Sequence, residues 1–133
     1  MKLVVAGVDE QGRSAVTRRD ELDIEKTTPL WTLTEFPPKV DRPTDVAALD
    51  IGLPPGNANW IFSRFAPHTD APLHRTDAIS FSAILSGTVV SVLEAEEVTL
   101  EPGDFFVLEG TMHGWKTGDE PCTMATIAFG LEP

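Results

Sequence analysis

The chain has 133 residues, 41% of them hydrophobic and 23% charged, with eleven prolines and ten glycines. That length suits one domain with a core of its own, and the composition excludes a disordered chain. A formal net charge of −11 excludes the basic footprint of a nucleic-acid binder, and the single cysteine, Cys122, excludes an intrachain disulfide framework.

Met1–Gly7 is a short apolar run followed at once by Asp9 and Glu10, too short and too polar for a signal peptide. No apolar run approaches the roughly 18 residues of a membrane span. A cytoplasmic protein without membrane contact is therefore expected. Lys2–Ala6 and Ser14–Thr17 read as a hairpin joined by a polar loop that holds Gly7 and Gly12. Arg18–Lys26, the most charged stretch, reads as a loop, and Leu30–Phe36 as a strand stopped by Pro37 and Pro38. Val40–Asn59 carries Pro43, Pro54, Pro55, Gly52 and Gly56 and reads as a long irregular segment, either a surface excursion or a lid or partner contact.

From Trp60 onward short strands follow closely. Trp60–Phe65 comes first, then Ala78–Leu85 and Thr88–Leu93 joined at Ser86-Gly87. Glu97–Leu100, Asp104–Leu108, His113–Lys116 and Cys122–Phe129 complete the series, with Pro102-Gly103 and Gly110-Thr111 as turns. No helical stripe of useful length appears. Many short strands with turn signals between them predict an all-β sandwich or barrel. One domain is expected over residues 1–133, with residues 1–59 giving the hairpin, a strand and the Pro-rich loop, and 60–130 the barrel core.

Two runs hold the residues that carry chemistry. The run His74-Arg75-Thr76-Asp77-Ala78-Ile79-Ser80, followed by Gly87, resembles the first motif of the cupin superfamily. The run Glu101-Pro102-Gly103-Asp104, an apolar strand and then Gly110-Thr111-Met112-His113 resembles the second motif more closely. Over nearly its whole length the chain is similar to small single-domain bacterial cupins with a His-Arg-Thr-Asp run. The resemblance implies a cupin β-barrel or jelly roll. It also implies a homodimer, for which the open edge of Lys2–Ala6 and the Pro-rich segment are candidate surfaces.

In the cupin pattern two histidines, a later carboxylate and a histidine of the second motif hold a divalent metal. Set on this chain, the resemblance places those positions at His74, Thr76, Ser80 and His113. Along one regular strand, 74, 76, 80 and Ser82 share a face. Thr76 and Ser80 are poor ligands, so the expected cofactor is none or a divalent ion held weakly by His74 and His113. His68, on the loop Ala66–Pro72, is a substitute ligand if that loop folds back; Asp77 needs a bulge to reach the pocket. Arg64 shares parity with Trp60 and Phe62. Facing inward it would bind an anionic group of a substrate, and facing outward it would form a salt bridge. Trp115 shares the face of His113, as a pocket wall or as core. Cys122 reads as a buried apolar residue.

The expected function is a small-molecule enzyme with His74 and His113 as acid–base groups. The reaction would be an isomerisation, cyclisation or elimination on a carbonyl-containing metabolite. Thr76, Ser80 and Ser82 would orient the substrate. Two alternatives stay open: a non-catalytic binding or sensor cupin with the same pocket, and a metal-dependent dioxygenase.

Overall fold

The structure, a computed structural model, describes residues 1–34, 36 and 53–132. These residues form eleven strands and no helix. In chain order the strands are β1 (Lys2–Val8), β2 (Ser14–Glu21), β3 (Thr28–Leu33), β4 (Ala58–Phe65), β5 (Asp70–Arg75) and β6 (Ala78–Ser86). Then come β7 (Val89–Val92), β8 (Glu97–Leu100), β9 (Phe105–Glu109), β10 (Met112–Lys116) and β11 (Cys122–Gly130). Among the described residues no helix is long and apolar enough to cross a membrane.

The β1–β2 hairpin is fixed by its loop. Asp9 Oδ1 accepts the backbone N–H groups of Gln11 and Arg13, each at 2.9 Å, and Arg13 Nε donates to Asp9 Oδ2 at 3.0 Å. The backbone N–H of Arg13 is the main cause that holds the Asp9 carboxyl below its ordinary range. The hairpin forms a two-stranded sheet of its own. One expectation changes here. The charged residues 18–21 continue β2, because β1 offers them backbone partners in register from Lys2 to Val5. Only the stretch between Glu21 and Thr28 is loop.

The remaining strands pair antiparallel in two sheets, one ordered β3-β4-β11-β6-β9 and the other β5-β10-β7-β8. The expected barrel is thus two separate ladders packed face to face. Their inner faces meet in one cluster, with Ile84, Leu108, Cys122 and Met124 from the first sheet and Val89, Leu100 and Trp115 from the second. Burying each aliphatic side chain of this kind contributes about 1.5–3 kcal/mol. The opposite face of β4 carries Phe62, which packs with Leu30 and Leu22 in a second cluster. The long segment read over Val40–Asn59 falls mostly outside the described residues; its end forms an isolated bridge from Pro55 to Gly130 and then enters β4.

The turn from β6 to β7 is set by Gly87, whose φ is +70°. A Cβ at this position would overlap the Pro121 carbonyl oxygen. Both conformation and space therefore require glycine. We expect Gly87→Ala to cost more than about 2 kcal/mol, read as a lower urea midpoint at unchanged slope. A shift within about 0.5 kcal/mol of the parent would contradict the turn geometry.

Candidate functional site

Strand β10 lies between β5 and β7, and its register sets His113 directly opposite His74. Opposite residues of an antiparallel pair share a face. The two imidazole rings accordingly stand 4.4 Å apart between centroids, tilted by 57°. Gly114 makes the approach possible. A Cβ there would lie 2.6 Å from the Ala71 carbonyl oxygen of β5, so any larger residue would push the two strands apart.

Each ring is tied to the backbone two residues earlier. His74 Nδ1 donates to the Pro72 carbonyl at 2.9 Å, and His113 Nδ1 donates to the Thr111 carbonyl at 2.8 Å. A carbonyl only accepts, so each Nδ1 carries the hydrogen, and each neutral ring keeps its lone pair on Nε2. His113 is buried at 7% exposure, while His74 is exposed. Burial pushes the His113 pKa below the ordinary 6.5; the Thr111 carbonyl opposes this, and the charge of His74 adds to it.

The facing sheet supplies hydroxyls and apolar surface. Ser80, Ser82 and Ile84 register with Ala128, Thr126 and Met124 on β11, so the serines share the inner face with the core residues Ile84 and Met124. Ser82 Oγ and Thr126 Oγ1 are hydrogen-bonded at 2.8 Å. Ser80 and Ser82 also register with Leu108 and Phe106 of β9. Trp115 joins the two walls, with ring centroids 6.0 Å from His113, 6.0 Å from Phe106 and 5.5 Å from Phe65. It belongs to the core. A cleft of about 320 Å³ is lined by Leu93, Phe106, Val107, Leu108, Glu109 and Thr111. Neither histidine lines that cleft directly; Thr111, whose carbonyl holds His113, connects the two.

The other sequence-derived candidates lie elsewhere. Thr76 is half-buried in the crossover between β5 and β6, which belong to different sheets. The single-strand parity that joined positions 74, 76 and 80 therefore does not exist, although His74 and Ser80 both reach inner faces. Arg64 is not brought to the histidines. Its neighbours Ser63 and Phe65 register with Met124 and Cys122 of the core, so Arg64 faces outward and pairs with Glu25 at 3.2 Å. His68 is exposed, with its side chain 3.4 Å from Asp119 and its N–H bonded to the Gly118 carbonyl. Asp77 is exposed beside Arg75 at 3.3 Å. Cys122 is fully buried and its thiol is pushed up to about 11 by burial, which keeps it unreactive at neutral pH. Thr126, Phe106 and Gly114 were not singled out from the sequence. The glycine set between His113 and Trp115 in a strand was the available signal of a close backbone approach.

The donor set can be tested against a divalent ion. Among the described residues no group of three or more His, Cys, Asp or Glu side chains could hold a metal. Two imidazoles supply half of a tetrahedral shell, and Thr76 and Ser80 add no strong donor. The residues present do not fit a tightly bound metal.

Two facing antiparallel sheets, with one histidine from each of two motifs set side by side, define a cupin. Residues 61–128 match the cupin domain family, and the chain belongs to it. Among solved structures it is similar to the DMSP lyase DddQ from Ruegeria pomeroyi DSS-3, at 23% identity over 55% of this chain and 38% of that one, with a TM-score of 0.51. It is also similar to the polyketide cyclase RemF from Streptomyces resistomycificus, at 21% identity over 53% of each chain and a TM-score of 0.50. The matched region spans only about a third to a half of those proteins. No curated protein matches the sequence.

The depressed His113 pKa makes stability depend on pH. The unfolded chain binds this proton more readily than the folded one, so the neutral form's stability is complete above the ordinary histidine value of 6.5. It is lost as pH falls through that value toward the lower folded pKa. His113→Gln should flatten the decline in urea midpoint between pH 8 and 5, to within about 0.3 kcal/mol for this group. An unchanged slope would show that His113 is not held neutral by burial.

Proposed function

We propose that this cupin is a small-molecule enzyme that moves protons on a carbonyl-containing metabolite with His113 and His74. The observation that carries the reading is the in-register imidazole pair with both Nδ1 atoms tied to strand carbonyls. The ties fix the tautomers and leave Nε2 as the working atom of each ring. His113, kept neutral by burial, takes a proton from the carbon beside a carbonyl onto Nε2. His74, at the exposed rim, gives a proton from Nε2 to the carbonyl oxygen as charge develops there. The product is an enol.

Three outcomes follow from that enol. With a 2-hydroxy carbonyl compound it is an enediol. Return of the proton to the former carbonyl carbon, with a hydroxyl proton recovered by His74, completes an isomerisation. Departure of a group from the next carbon, with the oxygen's proton returning to His74, completes an elimination. Attack of the enol carbon on a second carbonyl of the same molecule closes a ring, the enol's O–H proton returning to His74 as the first carbonyl re-forms and the new alkoxide taking the proton held by His113. Ser80, Ser82 and Thr126 provide hydroxyls to orient the substrate. DddQ is a lyase and RemF a cyclase, so this fold accommodates both reaction types.

One assay reads the shared first step. Hydroxy-carbonyl and dicarbonyl compounds are incubated with the protein in heavy water, and exchange of the hydrogen beside the carbonyl is followed by NMR. His113→Gln should lower exchange by about 10²–10⁴-fold with unchanged circular dichroism. Ligand-dependent thermal shifts with no exchange and no turnover would replace the enzyme by a binding or sensor protein.

The two-histidine donor set gives a second expectation. Untagged protein, dialysed and analysed for zinc, iron, manganese, nickel and copper, should retain far less than one equivalent. Near-stoichiometric metal that is lost in His74→Ala would put metal-assisted chemistry, dioxygenation included, ahead of the metal-free reading.

A further inference from the structure

The cleft along β9 has no part in the proton transfers assigned to the imidazole pair. Three observations relate it to His113, on the side away from His74. Strand β10 lies between β5 and β7, and its register with β7 runs from Lys116 opposite Val90 to Gly114 opposite Val92. One further step of that register sets Leu93, which lines the cleft, level with His113. Phe106, which lines it from the five-stranded sheet, has its ring centroid 6.0 Å from Trp115, and Trp115 is itself 6.0 Å from His113. Thr111, a third lining residue, accepts the His113 Nδ1 hydrogen on its carbonyl at 2.8 Å.

We propose that this cleft takes the remainder of the substrate whose carbonyl lies at the histidines, and that this remainder is an uncharged hydrocarbon group, an aryl ring or a branched alkyl chain. The inference rests on the proton-transfer reading and adds the substrate class to it. A volume of about 320 Å³ lies at the small end of ligand pockets, which suits one ring or a short branched chain. Leu93, Phe106, Val107 and Leu108 give the cleft apolar walls. Burying hydrocarbon against them is favourable, and burying an unpaired charge there is not. The charged residue of the lining is a carboxylate, Glu109, which repels a second carboxylate or a phosphate. The cations that could answer such a group are engaged elsewhere. Residues 53–132 hold three lysine or arginine side chains against eleven carboxylates. Arg64 pairs with Glu25, Arg75 with Asp77 and Lys116 with Glu97, each away from the inner faces. A sugar phosphate or a keto acid would bring its charge in beside Glu109 with no counter-ion among the described residues.

The test uses the full chain in the heavy-water exchange assay with three hydroxy ketones that share one reacting end. They are hydroxyacetone and two derivatives of its methyl group, one carrying benzyl and one carrying carboxymethyl. The derivatives differ only in a terminal phenyl against a terminal carboxylate. The kcat/KM for exchange should be at least about tenfold higher for the phenyl compound than for either of the others. Val107→Trp, at a position 49% exposed, fills the cleft and should remove that advantage. Glu109→Lys, also at an exposed position, should raise the carboxylate compound about tenfold over the parent. Circular dichroism checks that each variant folds, and Glu109→Lys carries the test if Val107→Trp does not. Thermal shift with the same compounds reads binding without turnover, and so separates this proposal from the reading it rests on. A shift given by the phenyl compound alone and lost in Val107→Trp, with no exchange, would uphold the cleft and refute the proton transfer. Exchange that is equal for all three compounds, or faster with the carboxylate, would overturn the cleft and leave the proton transfer standing. A phenyl preference that both variants leave unchanged would overturn it as well, and neither exchange nor shift with any compound would overturn both.

Discussion

The closeness of β10 to β5 is the constraint on which the site depends. It is set by main-chain contact at Gly114, next to the Ala71 carbonyl, and only then by the side chains on either side. Once the strands are that close, antiparallel register leaves the two imidazoles no choice but to stand side by side. The carbonyls of Pro72 and Thr111, each two residues before its histidine, then orient both rings alike. The local symmetry of the pair comes from backbone geometry and needs no third side chain to maintain it.

The site's electrostatic character also departs from that of the whole molecule. The chain is strongly acidic, yet the inner faces near the histidines offer hydroxyls and aromatic rings. No described carboxylate supports the His113 proton, and burial disfavours it, which suits the base role proposed for this imidazole. The carboxylates that the sequence places nearby are engaged outside, Asp77 with Arg75 and Asp119 with His68. Charge in the described residues is thus low on the inner faces near the histidines and high on the outer surface.

Much of this was legible in the sequence. The Pro-Gly-Asp run announced a turn, and Asp104 does close it, its carboxylate accepting the Glu101 N–H at 2.8 Å. The glycine and proline punctuation located β6 to β11 within a residue or two, because each turn has a local chemical cause. His74 and His113 were recognisable by their place in two motifs. The remainder depended on tertiary context. Strand β5 was hidden because Pro72 lies within it, and its existence depends on pairing with β10, almost forty residues on. The alternation of β4 was visible, but whether Arg64 or Ser63 faces the core is decided by β11. Parity across residues 74–80 failed because the chain changes sheets at Thr76 and Asp77, a step that periodicity cannot reveal.

Pro72 has a role besides orienting His74. Among the described residues strand β5 is the outer strand of its sheet, where unpaired backbone groups would otherwise template another chain. Proline offers a carbonyl but no N–H, so an incoming strand meets an interrupted ladder of donors at this edge. The residue whose carbonyl fixes a ring tautomer also makes the rim of the pocket a poor seed for fibre growth, and a change made there for chemistry would carry a cost in solubility.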